Sequence, residues 1–228
     1  MKKIVLASNN KHKIKEVKEI LKNVDVLTLE DIGYFDEIEE TGNSFKENAL
    51  IKAKAISIYL QSKKLNYDVL ADDSGLCVDS LNGEPGVYSA RYSGIHGDSK
   101  SNRDKLIKNL QGKERNAYFN CTIVLYHIDN SYEIEEGRTY GKIIDEEKGD
   151  TSFGYDCIFF SDDLGKTFGE ASSEEKNKIS HRFKALIKIN KYLENSKNVN
   201  WRFNKKRFFL FLLHLICLKI KVFQWFEF

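Results

Sequence analysis

Val69-Leu70-Ala71-Asp72-Asp73-Ser74-Gly75 is the stretch on which the reading of this chain turns. The apolar triplet reads as the end of a buried strand. Two adjacent carboxylates, a hydroxyl and a glycine follow at once. Both carboxylates cannot face a core, so the backbone is expected to turn there and to collect negative charge at the strand end. Hard divalent cations take oxygen ligands, and a cation held there could polarise a phosphoryl group or activate a water. The plainer alternative is an Asx-type turn closed by its own side chains.

Elements alternate on both sides of this stretch. Lys3–Ala7 reads as a short buried strand and Ser8-Asn9-Asn10-Lys11 as a turn cluster. Lys13–Leu21 places Ile14, Val17, Ile20 and Leu21 on one helical face. Asp25–Leu29 reads as a second strand. Ser44-Phe45-Lys46-Glu47 fits a capping box, and the helix after it is expected to bury Phe45, Ala49, Ala53, Ile56 and Leu60. Val69–Ala71 is the third strand. A glycine-rich loop with the chain's only proline, Pro85, spans Leu81 to Gly97. Asp98 or Ser99 can cap a helix through Leu110. Ala117–His127 alternates at period two. Tyr132–Ile144 reads as its antiparallel partner across the turn Asp129-Asn130-Ser131. Ile158–Phe160 reads as a short strand. Ser172-Ser173-Glu174-Glu175 offers a capped helix start, and Arg182–Leu193 reads as a last helix with Phe183, Leu186, Ile187 and Leu193 inward. The fold class is α/β with parallel and antiparallel pairing mixed.

The formal net charge of +2 hides an uneven distribution. Six basic residues against one acid, Glu227, lie in 201–228, so the first 200 residues carry 30 basic and 33 acidic groups. A mildly acidic body argues against a long nucleic-acid surface. Cys77, Cys121, Cys157 and Cys217 form no C-x-x-C pair and read as free, reduced thiols of a cytoplasmic protein. The apolar run Ile4–Ala7 is too short for a signal peptide. Residues 1–196 are expected to be one domain, and 197–228 a basic, hydrophobic tail of different character. Phe208–Leu218 is apolar except for His214 and too short to span a bilayer. A membrane-interface anchor, a partner-binding segment and a non-native end are the readings of that tail; the last is favoured.

Four polar clusters interrupt the structural pattern. Ser8-Asn9-Asn10-Lys11-His12-Lys13 lies between a strand and a helix start, where free amides and the helix dipole attract phosphate. It lacks the glycines of a Walker A loop. Glu37-Ile38-Glu39-Glu40-Thr41-Gly42 is an acidic loop, and Asp72-Asp73-Ser74 is the stretch quoted above. The fourth cluster is split between Phe153-Gly154-Tyr155-Asp156 and Lys176…His181-Arg182, in which aromatics can stack on a flat ring and cations can donate to it.

Together these clusters resemble the inosine triphosphate pyrophosphatase family, also called XTP/dITP diphosphatases. The resemblance rests on Ser8-Asn9-Asn10-x-x-Lys13, Glu40-Thr41-Gly42-x-Ser44-Phe45-x-Glu47-Asn48-Ala49, Ala71–Leu76, Pro85–Tyr92, Phe153–Asp156 and Glu175-Lys176-x-x-x-Ser180-His181-Arg182, and runs in order from about Lys2 to Leu193. It implies an elongated α/β mixed-sheet fold with two lobes and a central cleft, usually a homodimer. It also implies Mg2+-dependent cleavage of a non-standard purine nucleoside triphosphate (ITP, dITP or XTP) to the monophosphate and pyrophosphate. Ser8, Asn9, Asn10, Lys11, His12 and Lys13 would hold phosphates. Glu39 and Asp73 would serve the metal, with Asp73 also the base for the attacking water. Ser74 would contact substrate, and Phe153, Gly154, Tyr155, Asp156, Lys176, His181 and Arg182 would surround base and sugar. Cys157 stands where the family usually has proline, a departure expected to loosen that loop.

A carboxylate beside a metal accepts a proton weakly unless a neighbour raises its pKa, and Asp72 is the expected neighbour of Asp73. Arg182 has donors and no acceptor, so it suits the 6-oxo group of hypoxanthine or xanthine and not the 6-amino group of adenine. Two other functions are open to the sequence. One is a serine hydrolase with Ser74 as nucleophile, although Asp72 occupies the place of a glycine in the G-x-S-x-G elbow. The other is a membrane- or RNA-associated adaptor acting through the tail.

Overall fold

A computed structural model describes residues 1–194. Residues 1–189 form one compact unit, and the chain from Asn190 onward belongs to a second. The tail 197–228 and Cys217 lie outside the described residues. Seven strands form one mixed sheet in the order β2-β1-β3-β4-β5-β6-β7. They are β1 (Lys2–Leu6), β2 (Val24–Leu27), β3 (Asp68–Val78), β4 (Asn116–Tyr126), β5 (Tyr132–Ile143), β6 (Phe159–Ser161) and β7 (Lys166–Thr167). The helices are α1 (Lys11–Ile20), α2 (Phe45–Ser62), α3 (Ser99–Asn109) and α4 (Ser173–Ile179), and α5 starts at residue 181. β1 lies parallel to both β2 and β3, while β3-β4-β5-β6-β7 is antiparallel throughout.

The helix starts follow the expected cap chemistry. The side chains of Ser44 and Asp98 accept from the amides of Glu47 and Ser101, and Ser172 with Glu175 completes a reciprocal capping box. Around Ser44 the box is shifted by one residue, because the Glu47 carboxylate accepts from the amide of Asn43 at 2.6 Å. Ala49, Ala53, Ile56 and Leu60 of α2 are buried, whereas Phe45 is only half-buried. Leu186 of α5 faces inward as expected, but Ile187 does not: it is exposed, and Ile189 takes the buried position. Cys77, Cys121 and Cys157 are free and buried.

The largest departure concerns β3. It does not stop at Ala71 and turn; it continues through the two aspartates to Val78, eleven residues in all. Asp, Ser and Gly are poor strand formers, yet Asp72, Asp73, Ser74 and Gly75 each pair with β4, opposite Ile123, Thr122, Cys121 and Asn120. Strand alternation then sends adjacent carboxylates to opposite faces, and both are buried, at 1% and 5% exposure. The apolar side chains of β3 divide on either side of them. Val69 and Ala71 join α2, Val124 and Tyr126 in one cluster. Leu76 and Val78 join Leu106, Leu110, Phe119 and Phe159 in another. The polar stretch lies between two apolar cores.

Gly137 sets the distance between β5 and the start of α5. A Cβ there would fall on the carbonyl oxygen of His181 and within 2.6 Å of the amide of Ala185. Both obstacles are backbone and cannot rotate away. Gly137→Ala is expected to cost about 1–3 kcal/mol, read by chemical denaturation; an unchanged midpoint would contradict this close approach.

Candidate active site

β1 pairs with β3 only as far as Leu6 opposite Leu70, while β3 runs on to Val78. Past that point the β1 side of β3 opens onto a cleft of about 890 Å³. The location is the crevice beyond the carboxyl ends of adjacent parallel strands, where open α/β sheets place ligands. Asp73, Ser74 and Gly75 line it, and the loop after β1 supplies Ser8, Asn9, Asn10 and Lys13.

Asp72 faces a dense set of partners. Arg182 donates from Nε to its Oδ2 at 2.7 Å, and Lys13 from Nζ to its Oδ1 at 2.6 Å. Ser74 Oγ donates to Oδ1 at 3.0 Å, and the Cys121 thiol to Oδ2 at 3.2 Å. Burial opposes the charged carboxylate, but Arg182 and Lys13 outweigh it and hold its pKa well below the usual range. Arg182 is tied on two more sides: NH1 donates to Glu16 of α1, and NH2 to Ser74 Oγ at 2.9 Å. Glu16 also pairs with Lys176 Nζ at 3.1 Å, and its pKa is lowered to about 2, burial being overcome by Arg182 and Lys176. These contacts join β3, α1, α4 and α5. Ser74 has a carboxylate and a guanidinium as its hydroxyl partners and no bonded imidazole among the described residues, so the serine-hydrolase reading lacks its base.

The opposite face of β3 carries Asp73. Asn48 Nδ2 donates to its Oδ2 at 3.2 Å, and Lys52 Nζ to its Oδ1 at 3.3 Å. Lys52 also donates to Glu40 Oε1 at 2.6 Å, so one buried ammonium bridges two carboxylates. The pKa of Asp73 is raised, first by burial and then by the Glu40 charge, against the pull of Lys52 and Lys13. The neighbour that raises it is therefore Glu40 and not Asp72, which points away and is neutralised by its own cations. Glu39 is on the cleft wall but exposed. Glu40, Asn48 and Lys52 were missed as site residues in the sequence. Their signal is a buried-face position: Asn48 and Lys52 adjoin Ala49 and Ala53 on the inward side of α2, where a lysine needs a partner.

In the loop between β1 and α1 the helix start is less free than expected. The Asn10 side chain caps α1 by accepting from the amides of His12 and Lys13 at 3.0 and 3.1 Å. Ser8 Oγ accepts from the Asn10 amide at 3.2 Å. Lys11 is exposed, and neither it nor His12 is on the cleft wall.

The other end of the cleft is built from the loop between β5 and β6. Phe153, Gly154, Tyr155 and Asp156 line it together with His181 and Arg182. Lys176 stands behind the wall, its Nζ 2.5 Å from Asp156 Oδ2. His12 stacks on Phe153 with ring centroids 4.5 Å apart. His181 stacks on Phe119 at 4.9 Å, and its Nδ1 is buried without a hydrogen-bond partner. Burial and the nearby Arg182 push its pKa well below the usual value, so the ring is neutral. Cys157 follows in the same loop: its carbonyl accepts from the Lys148 amide at 2.9 Å and its side chain is fully buried.

Among the described residues no three protein donors cluster as a metal cage. The carboxylates facing the cleft, Glu39, Glu40 and Asp73, are hard oxygen donors. They suit Mg2+, which keeps several waters and takes one or two carboxylates with substrate phosphates.

The profile of the Ham1 family matches residues 4–192. The chain belongs to the Ham1 family. Curated relatives include the dITP/XTP pyrophosphatase of Clostridium perfringens, 49% identical over 83% of this chain and 96% of that one. The dITP/XTP pyrophosphatase of Bacillus subtilis is 45% identical over 85% of this chain and 98% of that one. Among solved structures, the Staphylococcus aureus Ham1 protein superposes with a TM-score of 0.74 at 42% identity, covering 86% of this chain and 100% of that one. The family profile spans the site described above, and the structural neighbour bears out the mixed α/β fold expected from the sequence.

Proposed function

We propose that this chain hydrolyses non-standard purine nucleoside triphosphates, dITP, ITP and XTP, to the monophosphate and pyrophosphate, and so cleanses the nucleotide pool. The observation that carries this reading is Asp73, buried at the floor of the cleft between Lys52 and Asn48, one strand position from the Lys13-bound Asp72. The activity for which the curated relatives are named agrees with it.

A triphosphate carries about four negative charges, and Lys13 with the Ser8–Asn10 loop is where this chain offsets them. Asp73 accepts the proton of the attacking water. As the water oxygen bonds to the α-phosphorus, the bond to the bridging oxygen breaks and pyrophosphate leaves. Glu39 and Asp73 would hold Mg2+, which would supply charge neutralisation and polarise the phosphoryl group. Phe153 offers a stacking face to the base, and His181 lines the same end of the cleft. Arg182 has three of its five N–H donors engaged; the remaining ones suit a 6-oxo group. Family resemblance supports a homodimer, and the three free buried thiols support a cytoplasmic setting.

The test is a panel of nucleoside triphosphates with Mg2+, scored for pyrophosphate and orthophosphate separately. Release of orthophosphate with a diphosphate co-product would overturn the reaction; equal turnover of ATP and dITP would overturn the specificity. No helix among the described residues is long and apolar enough to cross a membrane. The domain is proposed to end near Ser196, so truncation there is expected to leave kcat on dITP within a few-fold and to improve solubility. Loss of activity or a much lower melting temperature would make 197–228 part of the working enzyme.

A further inference from the structure

Arg103 on α3 carries a buried charge that the chemistry above does not use. It is 3% exposed and lines no part of the cleft. Its Nε donates to Glu147 Oε1 at 2.8 Å. Its NH1 donates to two backbone carbonyls of the β5–β6 loop, Gly154 at 2.8 Å and Thr151 at 3.3 Å. Ser99 lies one turn earlier on the same helix face, and its Oγ accepts from the Gly154 amide at 3.2 Å. Helix α3 therefore grips Gly154 by both its N–H and its C=O.

Gly154 separates two side chains of the cleft wall, Phe153 and Tyr155, and Asp156 follows. The Tyr155 hydroxyl donates to the Ser89 carbonyl at 2.9 Å, Asp156 pairs with Lys176, and Phe153 has its ring against His12. Tyr155 and Asp156 thus have hydrogen-bonded anchors of their own, whereas the Phe153 side chain has ring contacts, to His12 and to the Lys176 ammonium 5.2 Å from its centroid. The segment Thr151–Phe153 is exposed to half-buried, and the Arg103 guanidinium spans it from Thr151 to Gly154. A planar fork can hold a carboxylate and two carbonyls at once; a lysine ammonium is a point charge and cannot copy that geometry. Glu147 holds the fork in place from the same loop.

We propose that Arg103, oriented by Glu147, is a positioning residue that sets where Phe153 stands and thereby controls the affinity of the cleft for the base end of the nucleotide. It acts through Gly154 and touches neither the phosphates nor Asp73. The inference rests on the proposed nucleotide activity. It places a determinant of substrate affinity on α3, outside all six of the motifs that mark the cleft.

The experiment is steady-state pyrophosphate release from dITP by the full chain and by Arg103→Gln, Arg103→Lys, Glu147→Gln and Ser99→Ala, each with its melting temperature. Arg103→Gln is expected to raise KM about tenfold while kcat stays within about threefold, because misplacing a substrate-positioning group costs binding before chemistry. Arg103→Lys should recover only part of that loss, and Glu147→Gln and Ser99→Ala should raise KM by smaller factors in the same direction. A merely structural role would instead lower the melting temperature and the active fraction, with KM unchanged. A folded Arg103→Gln enzyme with wild-type KM, or one in which kcat alone falls, overturns the proposal. Should Arg103→Gln fail to fold, unchanged KM in folded Glu147→Gln and Arg103→Lys overturns it equally. Absence of pyrophosphate release by the wild type overturns the activity itself and is seen before any variant is compared.

Discussion

Asp72→Asn is expected to lose about 3–5 kcal/mol of stability, the cost of removing one partner from a buried ion pair. Its carboxylate is fully buried, and two cations, Arg182 and Lys13, point at it. The substitution keeps the shape and removes the charge. Arg182 then keeps Glu16 and Ser74 as partners, but Lys13 loses its carboxylate. For a chain of this size the melting temperature should drop by roughly 10 °C. The pH dependence follows with a definite sign. Arg182 and Lys13 hold the folded pKa of Asp72 well below the ordinary carboxylate range, so its stabilising contribution is complete above the unfolded carboxylate pKa and fades as pH falls below it. Acidification should therefore cost the wild type more than the variant. Urea melts of the two proteins at neutral and acid pH check both statements. A variant within 1 kcal/mol of wild type at neutral pH would mean that the Asp72–Arg182 pair is replaceable by neighbouring groups.

The elements easiest to read in the sequence are those whose pattern is local. β4 and β5 alternate at period two and pair across a three-residue turn, and the expected strands match the observed ones within one residue at each end. Ser44, Asp98 and Ser172 announce their helices because a cap needs only its own first turn. β3 is different. Nothing local favours a strand through Asp72-Asp73-Ser74-Gly75. What keeps it extended is the β4 ladder on one side and, across it, Arg182, which lies 110 residues away in the chain. The same distance hides Glu16, whose partner Arg182 is 166 residues further on. In α1 it reads as an ordinary charged helix position, and only the fold turns it into the link between α1, α4 and α5. The motif residues themselves were legible, since most of those expected at the site do line one cleft. Their division of labour was not. Adjacent aspartates on a strand face opposite ways, so the pair that looked like one acidic site is an anchor bound by Arg182 and Lys13 on one face and, on the other, the cleft carboxylate proposed here as the base.

That division makes the second expectation sharp. Asp73→Asn should lose at least about two orders of magnitude in turnover of dITP, since general-base and metal-binding roles each supply about that much; this corresponds to roughly 2.7 kcal/mol in the barrier. Stability should change far less than in Asp72→Asn. Lys52 keeps its shorter bond to Glu40 when Asp73 loses its charge, so no buried cation is stranded, and Asn48 can pair with an amide oxygen as it does with the carboxylate. The amide cannot accept the water's proton, and raising Mg2+ cannot restore that capacity. Pyrophosphate release by the variant, measured across a Mg2+ titration together with its melting temperature, tests the two halves separately. Near-normal turnover at saturating Mg2+ would remove Asp73 from the chemistry. A collapse in melting temperature equal to that of Asp72→Asn would show that both faces of β3 hold the fold, and that the chemistry must be sought in Glu39 and Glu40 on the loop before α2.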